Sequence, residues 1–249
     1  LPEPGSPERP SLFAHLLRRI VFLFTSPSRA FEPPQDFTLW LVPLVLIAVI
    51  NVVEPMLLKD LYLDKMRHFA EETTLVPESQ KELFLKQIEE SGETAGPLAW
   101  VTQAGSVLVT LGLLYFLPAG IYLLGLNFGL GGTARYADVL CVVCFSSLLL
   151  VAREIVTVPL KLERGSLAVF ASPAAFVPAD KKLLLEALNV LDIFHLYRLF
   201  LIIIGFSVVA RVSVRNSAIL VVALWGLWSL CWVFLKLSPI GPMLPALLP

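Results

Sequence analysis

The 249-residue chain is 57% hydrophobic and 16% charged, where a soluble domain carries about 25% charged residues. Its net charge of −1 and long uncharged tracts argue against a soluble globular domain and offer no basic surface for nucleic acid. Its three cysteines, Cys141, Cys144 and Cys231, all fall within apolar tracts, so no extracellular disulfide framework is expected.

Residues 1–10, LPEPGSPERP, read as a disordered tail. Residues 11–36 read as an interfacial amphipathic region. Leu12, Phe13, Leu16, Leu17, Ile20, Val21 and Phe24 share one broad helical face, and Ser11, His15, Arg18 and Arg19 share the other. The segment is too short and too charged to cross a bilayer. It is expected to lie in the headgroup plane, with Arg18 and Arg19 contacting anionic lipid headgroups. Packing on the protein's own loops is the alternative. The two arginines also interrupt the first apolar run, so no cleavable signal peptide is expected. Ser26-Pro27 reads as an N-cap followed by proline at the first position of a short helix, 27–31, ended by Pro33-Pro34.

A bilayer core of about 30 Å takes about twenty apolar helical residues. On that measure the chain is all-α and polytopic, with five transmembrane helices over about 37–58, 98–126, 136–160, 190–210 and 216–236. Residues 59–97 form the one sizeable extramembrane segment, read as helices over 59–72 and 78–91. The second expected span is longer than a straight crossing needs, and tilt or a kink at Pro118 would absorb the excess. Residues 161–182 form a loop broken by Pro173 and Pro178, and residues 238–249 a Pro-rich tail. The turn 211–215 is too short to hold a domain, so the last two spans are antiparallel neighbours.

The polar residues within or beside spans include Glu54, Asp138, Arg153, Glu154, Asp192, His195 and Arg198. Ionisable groups at membrane depth are candidates for function. Asp192, His195 and Arg198 recur every three residues, along one side of a helix. Glu54, Arg153, Glu154, Asp192, His195 and Arg198 are expected to form one polar cluster between the first, third and fourth spans. Three readings stand open for it: an ion-pair network that ties helix ends together, a proton or ion path, and a metal site. For the last, the i,i+3 carboxylate–imidazole pair resembles di-iron ligation, and Glu54, Glu154, Asp192 and His195 are weak candidate ligands. No metal or other cofactor is called for. Cys141 and Cys144, one turn apart, read as small-residue packing rather than a soft-metal site. No nucleophile–base–orienter set is visible, so the chain is not read as an enzyme.

Several stretches carry a family resemblance. They are LFTSPSRAFE before the first span, GGTARYADVLCVVCFSSL opening the third, LDIFHLYRLFLIIIGFSVVARVS, and ALWGLWSL in the last span. In their order and spacing over residues 15–237 the chain resembles the YIP family, small polytopic proteins named for interacting with Ypt/Rab GTPases, and in particular its bacterial branch. His195 stands where that family carries an aromatic residue. The resemblance implies a five-span membrane scaffold or adaptor, which in eukaryotic members recruits prenylated GTPases. For a bacterial member it implies partnership with another membrane protein or complex, such as an export transporter. The second functional reading is a small transporter or ion-conducting protein using Glu54, Glu154, Asp192 and His195. Expected partners are anionic lipid headgroups and another membrane protein, with homo-oligomer formation left open and no nucleic acid.

Orientation follows from arginines close to span ends: Arg18, Arg19 and Arg29 ahead of the first span, and Arg211 and Arg215 in the last turn. They put the N-terminus inside and residues 59–97 outside, and the resemblance implies that the membrane is a bacterial cytoplasmic membrane. In a cysteine-free background, an impermeant maleimide should label Ser79→Cys from outside and leave Asn216→Cys untouched. The opposite pattern would reverse the orientation.

Overall fold

The computed structural model describes residues 12–32, 39–72, 81–83, 85–86, 97–167, 169, 171–178 and 181–237. Every regular element among them is helical. The tails 1–10 and 238–249, Pro33-Pro34, and most of the helix expected over 78–91 lie outside the described residues. So do Ser11 and the side chains of Leu12, Phe13 and His15.

Helix α1, Leu12–Thr25, leads into the single turn α2, Pro27–Ala30. Proline occupies the first position of α2 as its φ favours, but the Ser26 side chain makes no capping bond. The buried side of α1 is Leu16, Arg19 and Leu23, while Leu17, Val21 and Phe24 are exposed. This reverses part of the expected wheel. Arg19 is 6% exposed and cannot contact headgroups. Its Nη1 donates to the Ala30 carbonyl at 3.1 Å and its Nη2 to the Glu32 carbonyl at 3.3 Å. The end of α2 offers carbonyls without intrahelical partners, and a guanidinium satisfies two of them at once. Arg18 stays exposed, its guanidinium 5.3 Å from the Phe22 ring centre.

Among the described residues, four helices are long and apolar enough to cross a membrane: Gly105–Gly129, Tyr136–Arg164, Ile193–Ala210 and Val214–Leu235. A fifth crossing exists only if α3, Leu41–Leu57, is joined to the start of α4, Lys59–Glu72, across a 62° bend. Alone, the 17 residues of α3 reach about 25 Å, short of the hydrocarbon thickness. Pro55 lies in the last turn of α3, and Leu58 departs from helical geometry at the bend.

The Gly105–Gly129 span is built from α5, Pro97–Leu111, and α6, Leu117–Leu124, interrupted by π-helical turns at Gly112–Phe116 and Gly125–Gly129. The first turn ends just before Pro118, whose ring needs room at the Leu114 carbonyl. Helices α7, Tyr136–Ser146, and α8, Leu148–Arg164, meet at Ser147 and run on past Pro159 to the left-handed cap Gly165. The helix of the third span therefore runs past 160, through the charged residues Lys161, Glu163 and Arg164.

After a 3₁₀ turn, Pro173–Phe176, helix α9, Lys182–Asn189, is separate from α10, Ile193–Ala210. The two are separate because Asp192 caps α10. Its Oδ1 accepts from the Phe194 amide at 2.8 Å and the His195 amide at 3.2 Å. Arg211, at φ 56°, turns the chain into α11, Val214–Leu237.

The core lies where α7 passes between α6 and α10. Every residue of α7 from Asp138 to Ser146 is buried. Gly205 of α10 is the contact point, since a Cβ there would meet Val142 Cγ1 at 2.5 Å and Phe31 Cδ2 at 3.1 Å. At Gly120 a Cβ would meet nothing within 4 Å. Gly205→Ala should therefore lower the melting temperature in detergent, at a cost of about 1–3 kcal/mol from overpacking. Gly120→Ala should leave it unchanged or raise it, since alanine is the better helix former. Equal melting of the two variants would discount the Gly205 contact.

Candidate functional site

The charged residues near the span ends form one chain of contacts across three helices. Its centre is Lys161 on α8. Lys161 Nζ lies 2.8 Å from Glu54 Oε1 on α3 and 3.1 Å from Glu154 Oε2 on its own helix. The Thr157 hydroxyl donates to the same Glu154 oxygen at 3.0 Å. Glu154, Thr157 and Lys161 are spaced i, i+3, i+7, which keeps them on one helical face. The Tyr62 hydroxyl approaches Glu54 Oε1 at 3.5 Å from the far side of the bend.

Arg153 continues the chain. Its Nη1 is 3.6 Å from Glu154 Oε1, and its Nε is 3.3 Å from Asp192 Oδ2 at the head of α10. Both are ion-pair distances; the Nε is buried and makes no hydrogen bond. His195 Nδ1 stands 3.9 Å from Asp192 Oδ1.

Five of the six expected cluster residues, Glu54, Arg153, Glu154, Asp192 and His195, thus fall in one connected set. Arg198 does not. Its Nε donates to the Ser147 hydroxyl at 3.0 Å, and Ser147 in turn donates to the Val143 carbonyl at 2.7 Å, both deeper in the bundle. Arg198 lies about 9 Å along the helix axis from Asp192, where it meets Ser147 and no carboxylate of the network. Asp138 is also apart, in a two-point pair with Arg135 at 2.9 and 3.0 Å in the first turn of α7.

Lys161 is the residue the sequence reading missed. Ending the third span at 160 assigned it to a loop. The signal was the i,i+7 spacing from Glu154, legible only if the helix continues through Pro159.

The four weak metal candidates do not converge. Glu54 and Glu154 meet on Lys161, while Asp192 and His195 lie beyond Arg153, so a cation occupies each place a metal would need. Among the described residues no group of three or more His, Cys, Asp or Glu is arranged to hold a metal ion. Cys141 and Cys144 are free thiols buried in the core.

Helix length bounds the depth. The 29-residue helix Tyr136–Arg164 is about 43 Å long, so it overruns the hydrocarbon by about 13 Å. With Tyr136 at one boundary, Arg153 and Glu154 lie about 26 Å along, close to the other boundary. Asp192 begins α10, and Glu54 sits in the last turn of α3. The network therefore rings one edge of the bundle. Beside it, α3, the α5–α6 helix and α8 enclose a cleft of about 160 Å³.

The chain matches no family model, no curated protein and no solved structure.

The two functions of Asp192, cap and counter-ion, separate by substitution. Asp192→Asn keeps a capping oxygen and loses the charge, and should cost about 1–3 kcal/mol. Asp192→Ala loses the cap as well, worth about 1 kcal/mol more. Thermal melting in detergent should rank wild type above Asn above Ala, and added zinc or chelator should move none of the three. A zinc-dependent shift that Asp192→Asn abolishes would restore the metal reading.

Proposed function

We propose that this membrane protein is a non-catalytic scaffold or adaptor of YIP type, which holds a partner membrane protein or complex in the bilayer. The observation that carries the reading is the pairing of the network. Glu54, Glu154 and Asp192 each lie within 4 Å of a Lys or Arg nitrogen at one edge of the bundle. A conducting path would instead favour exchangeable groups facing water at mid-membrane. Paired charges that join α3, α8 and α10 give a rigid frame for docking.

Two further features fit this role. Leu17, Val21 and Phe24 form an exposed apolar stripe on α1, suited to lying on lipid. Helix α11 has only 6% of its span buried within the protein, and it carries the stacked pair Trp228 and Trp232, ring centres 6.4 Å apart. Aromatic residues are enriched where membrane and protein interfaces form. The same reading puts the N-terminus in the cytoplasm of a bacterial cell.

A photo-cross-linking residue in place of the exposed Leu227 tests this in native membranes. The expected product is one membrane protein of defined mass, co-purifying in mild detergent and lost on Trp228→Ala together with Trp232→Ala. Flux of ions or a solute through proteoliposomes of the protein alone, with no cross-linked partner, would favour the transporter reading instead.

A further inference from the structure

We propose that the cleft beside the charge network binds the phosphoethanolamine headgroup of a membrane phospholipid. The cleft is amphipathic. Ile47, Ile50, Leu114 and Leu150 line its apolar side, and Glu54, Arg153 and Glu154 its polar end. Its volume, about 160 Å³, is close to that of a protein cavity that holds one benzene. That admits a small headgroup and excludes acyl chains. Leu114 is 44% exposed, so the mouth opens on the outer surface of the bundle, where Leu113 and Val53 are also exposed to take the chains.

Two groups at the polar end are under-used. A guanidinium carries five N–H donors, yet among the described residues Arg153 is held by two ion pairs alone, Nε at 3.3 Å from Asp192 and Nη1 at 3.6 Å from Glu154. A phosphodiester offers two non-bridging oxygens, a pair that arginine's planar fork can meet with parallel N–H donors. Glu54 uses Oε1 for both Lys161 and Tyr62, and its Oε2 takes no hydrogen bond among the described residues. A primary ammonium has three donors for such an oxygen.

The charge count selects between headgroups. Three carboxylates, Glu54, Glu154 and Asp192, face two cations, Arg153 and Lys161, so the carboxylates outnumber the Lys and Arg side chains by one. A zwitterion adds no net charge. An anionic glycerol headgroup would add a further negative charge beside two glutamates. A choline headgroup is also zwitterionic, but its quaternary nitrogen has no N–H to give Glu54. The edge-of-hydrocarbon depth of Arg153 and Glu154 matches the level at which headgroups sit. This site stands whether or not a partner protein is recruited.

Native mass spectrometry of the detergent-purified protein tests it, with dioleoyl phosphatidylethanolamine, phosphatidylcholine and phosphatidylglycerol titrated separately. The ethanolamine lipid should bind about tenfold more tightly than either of the others, the equivalent of one charge-assisted hydrogen bond. Soluble phosphoethanolamine added as competitor identifies the source. Displacement means the headgroup alone is recognised, and retention of the lipid means the chains are also needed; both keep the site. Glu54→Gln should abolish the preference. Leu114→Trp should block the cleft while leaving every ion pair in place, and melting curves show that it is folded. Equal binding of the three lipids would overturn the proposal. So would a preference that persists in both variants.

Discussion

Charge at the edge of hydrocarbon must be paired, and Lys161 is where this protein meets that constraint. One ammonium satisfies carboxylates from α3 and α8. The neighbouring Arg153 then links α8 to the cap of α10. Three helices distant in sequence are registered against each other by a handful of atoms. A slip of one residue along α8 would turn it by about 100° and carry Lys161 away from Glu54 and Arg153 away from Asp192. The ion pairs thus set axial position, a task that apolar packing in lipid performs poorly because lipid tails compete on equal terms with leucine.

The opposite edge is closed by different means. There the backbones approach until main chain meets main chain. The Thr133 amide donates to the Ala210 carbonyl at 3.2 Å, and a Cβ on Gly132 would lie 3.0 Å from that same oxygen. Asn127 clamps the connecting loop, giving its amide to the Ala134 carbonyl at 2.8 Å and accepting from the Ala134 amide at 3.0 Å. On the next helix the Ser217 hydroxyl donates to the Ile203 carbonyl at 2.8 Å. Small residues and neutral hydrogen bonds suffice here because few charges need partners. The bundle is therefore polar-locked at one edge and closely packed at the other.

Much of this was legible from residues alone, and the failures share a cause. The uncharged tracts marked the spans because a bilayer imposes length directly. Asp192 and His195 were found because their spacing is local. Arg19 was misassigned because a helical wheel shows which residues share a face and not which face meets protein. Its partners are the carbonyls of Ala30 and Glu32, and backbone acceptors leave no trace in side-chain identity. Lys161 was missed because a proline two residues earlier suggested a stop, whereas Pro159 sits on an exposed side of a helix that continues. Asp192 was read as a charge alone, whereas it is also the cap that starts α10.

The separation of Lys161 from Glu54 along the chain, 107 residues, has a consequence for biogenesis. A ribosome adding about 5–20 residues per second delivers the lysine roughly 5–20 s after the glutamate. During that interval Glu54 has no counter-ion of its own. The shortness of α3, and the polar helix that bends away directly after it, keep the waiting carboxylate at the water boundary until its partner emerges. The same brevity that makes the first crossing look incomplete lets it enter the bilayer early without stranding a charge.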